Sequence, residues 1–566
     1  MSYSKLHTIN HNSSDGKGVM LSIDQPSITG ANRTVISDAK SCQHWIAALP
    51  LTNAPAAQTE IQLQLELLNH TSALSGLERW LIMEQLRESV VFVQDELAKK
   101  FLGKPMPLED GELALWKKTL ELWQYFTHGY QICLQNYQDN EQALASFAPA
   151  LLHRILQLTG KQIASYQQLY HGVPDALWKQ LHKTYATAEK LKLDKATLND
   201  PLSALPDSTR PESAYVQVLL MDLADPYHLQ PKQFEQINRW LARWGNRVNV
   251  SANPSAVTHP ELKLPTLVVD LNRPTGIQFG TPFENGASVR HLDMNLLAAT
   301  LIKRIRHLRK GGAPEELDIG AECQQPSCEA QLVHLYQQWC EPPQNRTFER
   351  RPSDVNAQIS FGIAAIHFFC NGAKPFRQPS ERPYEEFSWR EAQDLKMFGQ
   401  VSSQTKKLQA SQAGYSAENW QILDESAMGF KLAANGLHAA RVSLNQLIAI
   451  RHPQAKHFAI GMIRWMRFDA NGDLNVGIRT YPGIPMAVGI RSPVLISSLQ
   501  NKFLQAFLLP EIPALKTQAS LVLPLGWFAP NKQIELLLDD ALNIRLIKSL
   551  ERGADFERVG FEIKQS

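Results

Sequence analysis

Long apolar runs are missing from this chain of 566 residues. No stretch approaches the roughly 18 consecutive apolar residues that a membrane span needs, so no transmembrane helix is predicted. The first residues also lack the apolar core of a secretory signal peptide. The two absences together predict a cytoplasmic protein.

An excess of charge of either sign is also missing. The 57 Lys and Arg residues balance 55 Asp and Glu residues to a net charge of +2, which excludes a globally basic nucleic-acid coat and an acidic tail protein. The basic stretch 303–310 is more simply explained as a solvated helix face ahead of a helix end at Gly311 and Gly312. Nucleic acid is therefore not an expected partner.

Cysteine is scarce, with six residues spread along the chain. This number excludes a scaffold built on disulfides and is typical of a reducing compartment. Cys323, Cys328 and Cys340, with His334 nearby, lack the paired spacing of a zinc site. We therefore predict buried, idle thiols and no metal.

Most signatures of enzymes are absent. The chain contains no phosphate loop of the G-x-x-x-x-G-K-[ST] type, no G-x-G-x-x-G, no H-E-x-x-H and no G-x-S-x-G. No nucleophile–base pair stands out, although residues 214–340 leave room for an unrecognised activity. The prediction is a protein that is not an enzyme, with no catalytic residues and no cofactor.

Helical periodicity dominates the first 340 residues. Residues 1–45 are polar and are predicted to be mostly a flexible arm, and residues 46–200 form an α-helical domain. A Pro-rich stretch at 197–213 is typical of a linker. Residues 201–340 follow as a second, α-rich domain, with a strand-like segment at 264–272 that indicates one small sheet.

The pattern changes to short β-branched and aromatic segments after Pro342 and Pro343. Residues 341–486 are predicted to form a small antiparallel barrel, with an early strand in 356–369 and a hairpin at Asn471-Gly472. An insertion is expected at about 372–416, and residues 487–566 form a C-terminal β extension. The expected fold class is multidomain α+β: N-terminal helical modules, then the barrel and further β structure.

Two short motifs lie in the barrel region. One is [D/N]-x-S-x-x-G, and the other is R-x-x-x-R with a further Arg directly after it. Their residues are Asp424, Ser426, Gly429, Arg346, Arg350 and Arg351. The pair, with its strand-rich continuation, resembles the PilZ domain, the bacterial receptor module for cyclic-di-GMP.

The resemblance implies a ligand site at these six residues. Arginine forks suit phosphates and guanine edges, a carboxylate accepts from guanine N–H groups, and a glycine lets the chain turn or the ligand approach. Purely structural roles stay open, since Asp424 and Ser426 could cap a turn and the arginines could belong to a solvated linker. Arg350 and Asp424 are also 74 residues apart (424 minus 350), farther than is usual in the family, so the insertion could have altered or abolished the ligand site.

These observations lead to one functional hypothesis and one alternative. The hypothesis is a cyclic-di-GMP effector in which nucleotide binding at the barrel rearranges the helical interaction modules, which bind a protein partner. The alternative is a structural or adaptor protein with a degenerate PilZ-like barrel that does not bind nucleotide.

Overall fold

A computed structural model gives the arrangement of three successive parts. It describes residues 36–204, 208–254, 262–280, 286–317, 319–320, 323, 327–343, 348–379, 389–399, 401–402, 405, 410, 414–434, 440–493, 502–538 and 540–564. A helical array comes first, a small sheet with two helices follows, and two closed β-barrels complete the chain. This arrangement confirms the multidomain α+β class. Among the described residues, no helix combines the length and the apolar character that crossing a bilayer requires.

Packed helices form the first part. They are α1 (Ala39–Ala47), α2 (Ala54–His70), α3 (Gly76–Ala98), α4 (Asp110–Gln138), α5 (Ala148–Gln168), α6 (Asp175–Lys190), α7 (Pro211–Leu223) and α8 (Pro231–Trp244). The Asp38 carboxylate caps α1 by accepting from the backbone N–H of Ser41 at 2.7 Å. Ordered helix therefore begins inside the segment 1–45 that was expected to be a flexible arm, and residues 1–35 lie outside the described residues.

Most of the described helices pack into two apolar cores. One core lies among α1 to α5 and includes Trp80 and Tyr130. The other begins in α5 at Leu156 and continues to Cys340. The predicted division near residue 200 is therefore not a gap in the packing.

The segment predicted as a linker is anchored by buried charges. Asp200 is fully buried and accepts hydrogen bonds from Arg87 at 2.9 Å and Arg154 at 2.8 Å. Arg154 also contacts Glu84 at 3.1 Å. Burial alone would raise the pKa of Asp200, but the two guanidinium groups outweigh it and hold the pKa below its usual value. Removing either partner would leave a buried charge uncompensated, so these contacts fix the segment in place.

A small antiparallel sheet follows the helices. Its strands are β1 (Asn249–Ser251), β2 (Leu267–Asp270), β3 (Gln278–Phe279) and β4 (Val289–Asp293), in the order β1-β4-β2-β3. Helices α9 (Asn295–Arg309) and α10 (Ser327–Cys340) complete this part. The strand expected in 264–272 and the single small sheet are thereby confirmed.

Two expectations for this part were wrong. Cys323 and Cys328 form a disulfide and are not separate thiols, and their Cα atoms lie 5.3 Å apart. Arg304 is buried and does not belong to a solvated face. Its guanidinium lies 4.6 Å from the ring centre of Trp244, and its Nε donates to the carbonyl oxygen of Leu317.

The first barrel is formed by six strands between residues 351 and 480. Its strands are β5 (Arg351–Phe361), β6 (Glu418–Ser426), β7 (Gly429–Ala433), β8 (Leu447–Arg451), β9 (Ala459–Phe468) and β10 (Leu474–Thr480). They are antiparallel and close in the order β5-β6-β7-β10-β9-β8. Asn471 and Gly472 lie in the β9–β10 turn as predicted, and Gly472 takes a φ of 86° that glycine adopts without strain.

The C-terminal extension is a second closed barrel. Its strands are β11 (Met486–Arg491), β12 (Leu504–Leu509), β13 (Ser520–Pro524), β14 (Gln533–Leu537), β15 (Ala541–Arg552) and β16 (Phe556–Ile563). They close in the order β11-β12-β13-β16-β15-β14. When the strands of each barrel are numbered in chain order, both barrels read 1-2-3-6-5-4. The two barrels therefore have the same topology.

Among the described residues between β5 and β6 there are two helices, α11 (Ile363–Cys370) and α12 (Trp389–Phe398). The strand expected over 356–369 ends at Phe361, and α11 replaces its second half. Helix α11 packs between the two barrels, where His367 Nε2 lies 3.2 Å from the carbonyl oxygen of Val488. Because a helix enclosed on several sides is apolar all round, this segment has no helical period to recognise.

Candidate ligand-binding site

The [D/N]-x-S-x-x-G motif lies at the tight turn between β6 and β7. Asp424 and Ser426 are at the end of β6, and Gly429 begins β7. Ser426 Oγ donates a hydrogen bond to the carbonyl oxygen of Gly429 at 3.2 Å. The backbone N–H of Thr480 donates to the carbonyl oxygen of Met428 at 3.0 Å. The turn is therefore held both from within and by the neighbouring strand β10.

Gly429 is required by a close approach of two strands. It pairs with Arg479 of β10, and a Cβ at this position would lie 2.5 Å from the carbonyl oxygen of Ile478. Its φ is outside the left-handed region, so the backbone angle does not impose glycine here. Any side chain would push β7 away from β10 and distort the turn.

The two motifs meet at this end of the barrel although they are 74 residues apart (424 minus 350). In the pairing of β5 with β6, Arg351 faces Glu425 and Pro352 faces Asp424. Arg350, just before β5, forms an ion pair with Asp424, and the two side chains are 27% and 25% exposed. A pair in contact with solvent adds little to stability, but it holds the guanidinium group beside the turn.

The remaining two predicted arginines are Arg351 and Arg346. Arg351 is the exposed first residue of β5. Arg346 lies outside the described residues and stays a sequence-based prediction. The structure thus brings five of the six predicted residues to one end of the barrel.

Sequence reasoning missed two side chains next to the motif. Lys431 faces both Asp424 and Gly477 across the strand pairs. Trp465 also faces Gly477, where a Cβ would collide with the indole nitrogen, so the indole lies across the glycine. The sequence did contain a signal for Trp465. Side chains alternate along β9, so Trp465 is on the outer face of the barrel while Met466 points into the core. A large aromatic side chain at an outward position has no role in the barrel core.

These groups suit an anionic ligand that carries flat rings. Guanidinium forks bind phosphate oxygens or guanine edges in a bidentate manner, a carboxylate accepts from N–H donors, and an indole face stacks on a base. Within the described part of the chain, no group of three or more His, Cys, Asp or Glu side chains could hold a metal ion. The side chains present offer recognition by charge, hydrogen bonds and stacking.

Three sequence families match successive parts of the chain. The N-terminal domain of the cyclic-di-GMP receptor FimW matches residues 40–255. The middle PilZ domain of the same receptor matches residues 281–397 and 377–481, two segments that overlap within the predicted insertion. The C-terminal beta-barrel domain of FimW matches residues 494–563. The first match covers most of the helical array, the second covers α9, α10 and the first barrel, and the third covers most of the second barrel.

One curated relative has the same description. The cyclic-di-GMP receptor FimW of Pseudomonas aeruginosa is 22% identical over 563 residues, which covers 92% of this chain and 89% of the relative. The similarity therefore extends through all three parts.

A solved structure shows a much weaker likeness. It is described as MrkH, a novel c-di-GMP dependence transcription regulatory factor, and it is 6% identical, covering 26% of this chain and 73% of its own. The TM-score is 0.12, which is too low to support an argument about either fold or function.

Proposed function

The chain contains a PilZ domain, set between a helical domain and a second β-barrel as in FimW, and on that premise we propose that it is a cyclic-di-GMP-binding effector. Nucleotide binding at the first barrel is coupled to the helical array, which acts on a protein partner. The protein works by binding and not by catalysis, needs no cofactor and acts in the cytoplasm.

One observation carries the proposal. Arg350 and Asp424 come from motifs that are distant in the sequence, yet they form an ion pair at the turn that Ser426 and Gly429 shape. The insertion between the motifs has therefore not separated them in space. A barrel that had lost its ligand would have no need to keep these groups together.

We assign each motif residue a role toward the nucleotide. The arginines bind its phosphates and the N7 and O6 edges of guanine through bidentate hydrogen bonds. Asp424 accepts from guanine N–H groups, and Ser426 bonds to phosphate or to the backbone of the turn. Gly429 keeps the backbone open to the ligand. The six residues with these roles are Arg346, Arg350, Arg351, Asp424, Ser426 and Gly429.

Contacts between the barrel and the helical array provide the means of coupling. Val442, in the segment before β8, exchanges two backbone hydrogen bonds of 2.7 Å with Met106. Next to it, Arg441 donates to Glu112 at 2.6 Å and to the carbonyl oxygen of Pro105. These contacts involve residues just before α4 and in its first turn. A ligand that shifts the barrel strands would therefore change the contacts and, through them, the position of α4.

Titration calorimetry of the full chain with cyclic-di-GMP tests the proposal. We expect saturable binding, and no comparable binding of GMP, which has only one guanine and one phosphate. Arg350→Lys keeps the charge but loses the bidentate fork, so we expect affinity to fall about tenfold. Arg545→Lys is the matched control, because Arg545 forms an exposed ion pair with Glu562 on the second barrel.

The result also separates the two functional hypotheses. A folded wild-type chain that shows no heat of binding with cyclic-di-GMP would support the adaptor protein with a degenerate barrel. Equal binding by the two lysine variants would leave the receptor function intact but remove Arg350 from the site.

A further inference from the structure

A cleft of about 940 Å³ lies between the helical array and the first barrel. Helix α4 and the loop 171–175 line one side, while β9, β10 and the turn between them line the other. The volume is within the usual range for small-molecule sites. None of the six motif residues lines it, and the roles assigned above leave it without a purpose.

The back wall of the cleft is built by both parts of the protein. His171 is stacked between Trp116 of α4, at a ring separation of 4.8 Å, and Phe468 of β9, at 4.2 Å. Burial lowers the pKa of His171 to about 4, so the ring is neutral at physiological pH. The wall is therefore an apolar stack that fixes the barrel against the helices.

One residue that lines the cleft has a buried polar atom without a partner among the described residues. Asn475 of β10 lines the cleft, is only 7% exposed, and donates from Nδ2 to Asp469 Oδ2 at 3.4 Å. A carboxylate oxygen only accepts hydrogen bonds, so the Asn475 atom that faces Asp469 must be Nδ2. The other amide atom, Oδ1, then needs a hydrogen-bond donor. Among the described residues, Oδ1 has no hydrogen-bond donor. A buried carbonyl oxygen of this kind is costly unless a ligand donates to it.

The outer face of β10 connects this atom to the motif. Asn475, Gly477 and Arg479 point to the same face, since side chains alternate along a strand. Arg479 pairs with Gly429 of the motif, and Gly477 pairs with Lys431, which also lines the cleft. At about 3.4 Å per residue, Asn475 lies about 14 Å along the strand from the motif end. The motif and the cleft are two ends of one continuous surface.

Cations face this surface from both sides. Lys431 reaches the cleft from the barrel and Lys117 from α4. Arg467 is engaged, because its guanidinium lies 4.8 Å from the ring centre of Tyr227. Lys117 is the cation that α4 presents to the cleft.

We propose that the nucleotide site is composite and extends from the motif into this cleft. The proposal rests on the function proposed above and adds residues to the same site. One guanine of the ligand enters the cleft, where an N–H group donates to Asn475 Oδ1. Lys117 approaches a phosphate or carbonyl oxygen from the helical side. The ligand then touches both parts at once, and its binding strengthens their association.

Charge reversal on α4 tests the helical contribution. Lys117→Glu in the full chain should weaken binding of cyclic-di-GMP by at least about tenfold, since an attraction becomes a repulsion. Lys118→Glu is the matched control, because this exposed neighbour on the same helix does not line the cleft. It carries the same change of net charge and should bind as the wild type does. Equal loss in both variants would indicate a general charge effect and would overturn the role of Lys117.

A second variant tests the cleft from the barrel side. Asn475→Leu keeps the volume but removes the acceptor, and we expect affinity to fall about fivefold while the melting temperature holds or rises. If Lys117→Glu and Asn475→Leu both bind as the wild type does, the composite site is wrong and the receptor function stands. If the wild type itself does not bind cyclic-di-GMP, the proposed function fails and the composite site fails with it.

Discussion

The two barrels of this chain have the same strand order but differ in what their surfaces carry. Each closes as 1-2-3-6-5-4 in its own numbering. In the first barrel, the turn between the second and third strands carries Asp424, Ser426 and Gly429. In the second barrel, the corresponding connection runs from Leu509 to Ser520 and contains no such motif. The topology therefore supplies a platform, and the ligand site depends on residues placed at one end of it.

Ion pairs alone do not distinguish the barrels. Arg350 pairs with Asp424 in the first barrel, and Arg545 pairs with Glu562 across two strands of the second. The pairs differ in their surroundings. Only the first adjoins a turn with a sterically required glycine and a surface that leads to an interdomain cleft. A cross-strand Arg–carboxylate pair is thus an indication of a site only together with its neighbours.

The second barrel supports the first. Asp555 accepts from the backbone N–H of Leu447 at 2.8 Å, and Tyr481 donates to Glu551 at 2.7 Å. Helix α11 and both barrels contribute to one apolar core between them. We therefore expect the second barrel to matter for folding more than for ligand recognition.

The largest expected difference between the barrels concerns their arginines. Arg346→Ala combined with Arg350→Ala removes two charge-assisted hydrogen bonds of about 1.5–3 kcal/mol each, so affinity for cyclic-di-GMP should fall at least about a hundredfold. Arg545→Ala on the second barrel should leave affinity unchanged. Calorimetry measures binding and thermal unfolding checks that each variant is folded. If the double variant binds normally, the arginine assignment is wrong.

Removing Asp424 should lower the affinity for cyclic-di-GMP by a smaller factor. Asp424→Ala deletes an acceptor and releases Arg350, so we expect a loss of affinity of about tenfold. The free energy of unfolding should change by less than about 1 kcal/mol, because the pair is in contact with solvent. The control is Glu562→Ala, which removes the carboxylate of the exposed pair on the second barrel. An Asp424→Ala protein that is destabilised yet binds normally would identify this residue as a turn cap.

A comparison of two strand glycines tests stability and not affinity. Gly429→Ala places a methyl group 2.5 Å from a backbone oxygen and should cost about 1–3 kcal/mol of stability. Gly560→Ala in β16 meets nothing closer than Lys548 Cγ at 3.5 Å, so it should be neutral or slightly stabilising. Chemical denaturation of both variants measures the difference. Equal stability of the two variants would mean that the β6–β7 turn shifts enough to accommodate the added methyl group without loss of stability.

Local patterns predicted much of the fold. The period of the helices, the alternation in β6 to β10 and the Asn471-Gly472 turn are properties of short segments, and the structure agrees with them. The strand predicted over 356–369 was wrong in its second half, because α11 is enclosed by both barrels and has no polar face. The identical topology of the barrels was not predictable, because strand pairing joins segments that are far apart in the sequence.

The site also combines features of short segments, which were predictable, with contacts between distant segments, which were not. The two motifs were visible as sequences, but their meeting through Arg350 and Asp424 depends on the register of β5 and β6. The cleft was not predictable, since Trp116, His171 and Phe468 come from three distant segments. The disulfide between Cys323 and Cys328 was missed because cysteine spacing alone does not determine a pairing.

Hydrogen–deuterium exchange of the full chain with and without cyclic-di-GMP tests the central claim most directly. If the first barrel is the receptor, ligand should slow exchange at the start of β5, in the turn 424–431 and along β10, while strands β11 to β16 stay unchanged. Protection in the second barrel alone, or none in the β6–β7 turn at a saturating ligand concentration, would contradict it.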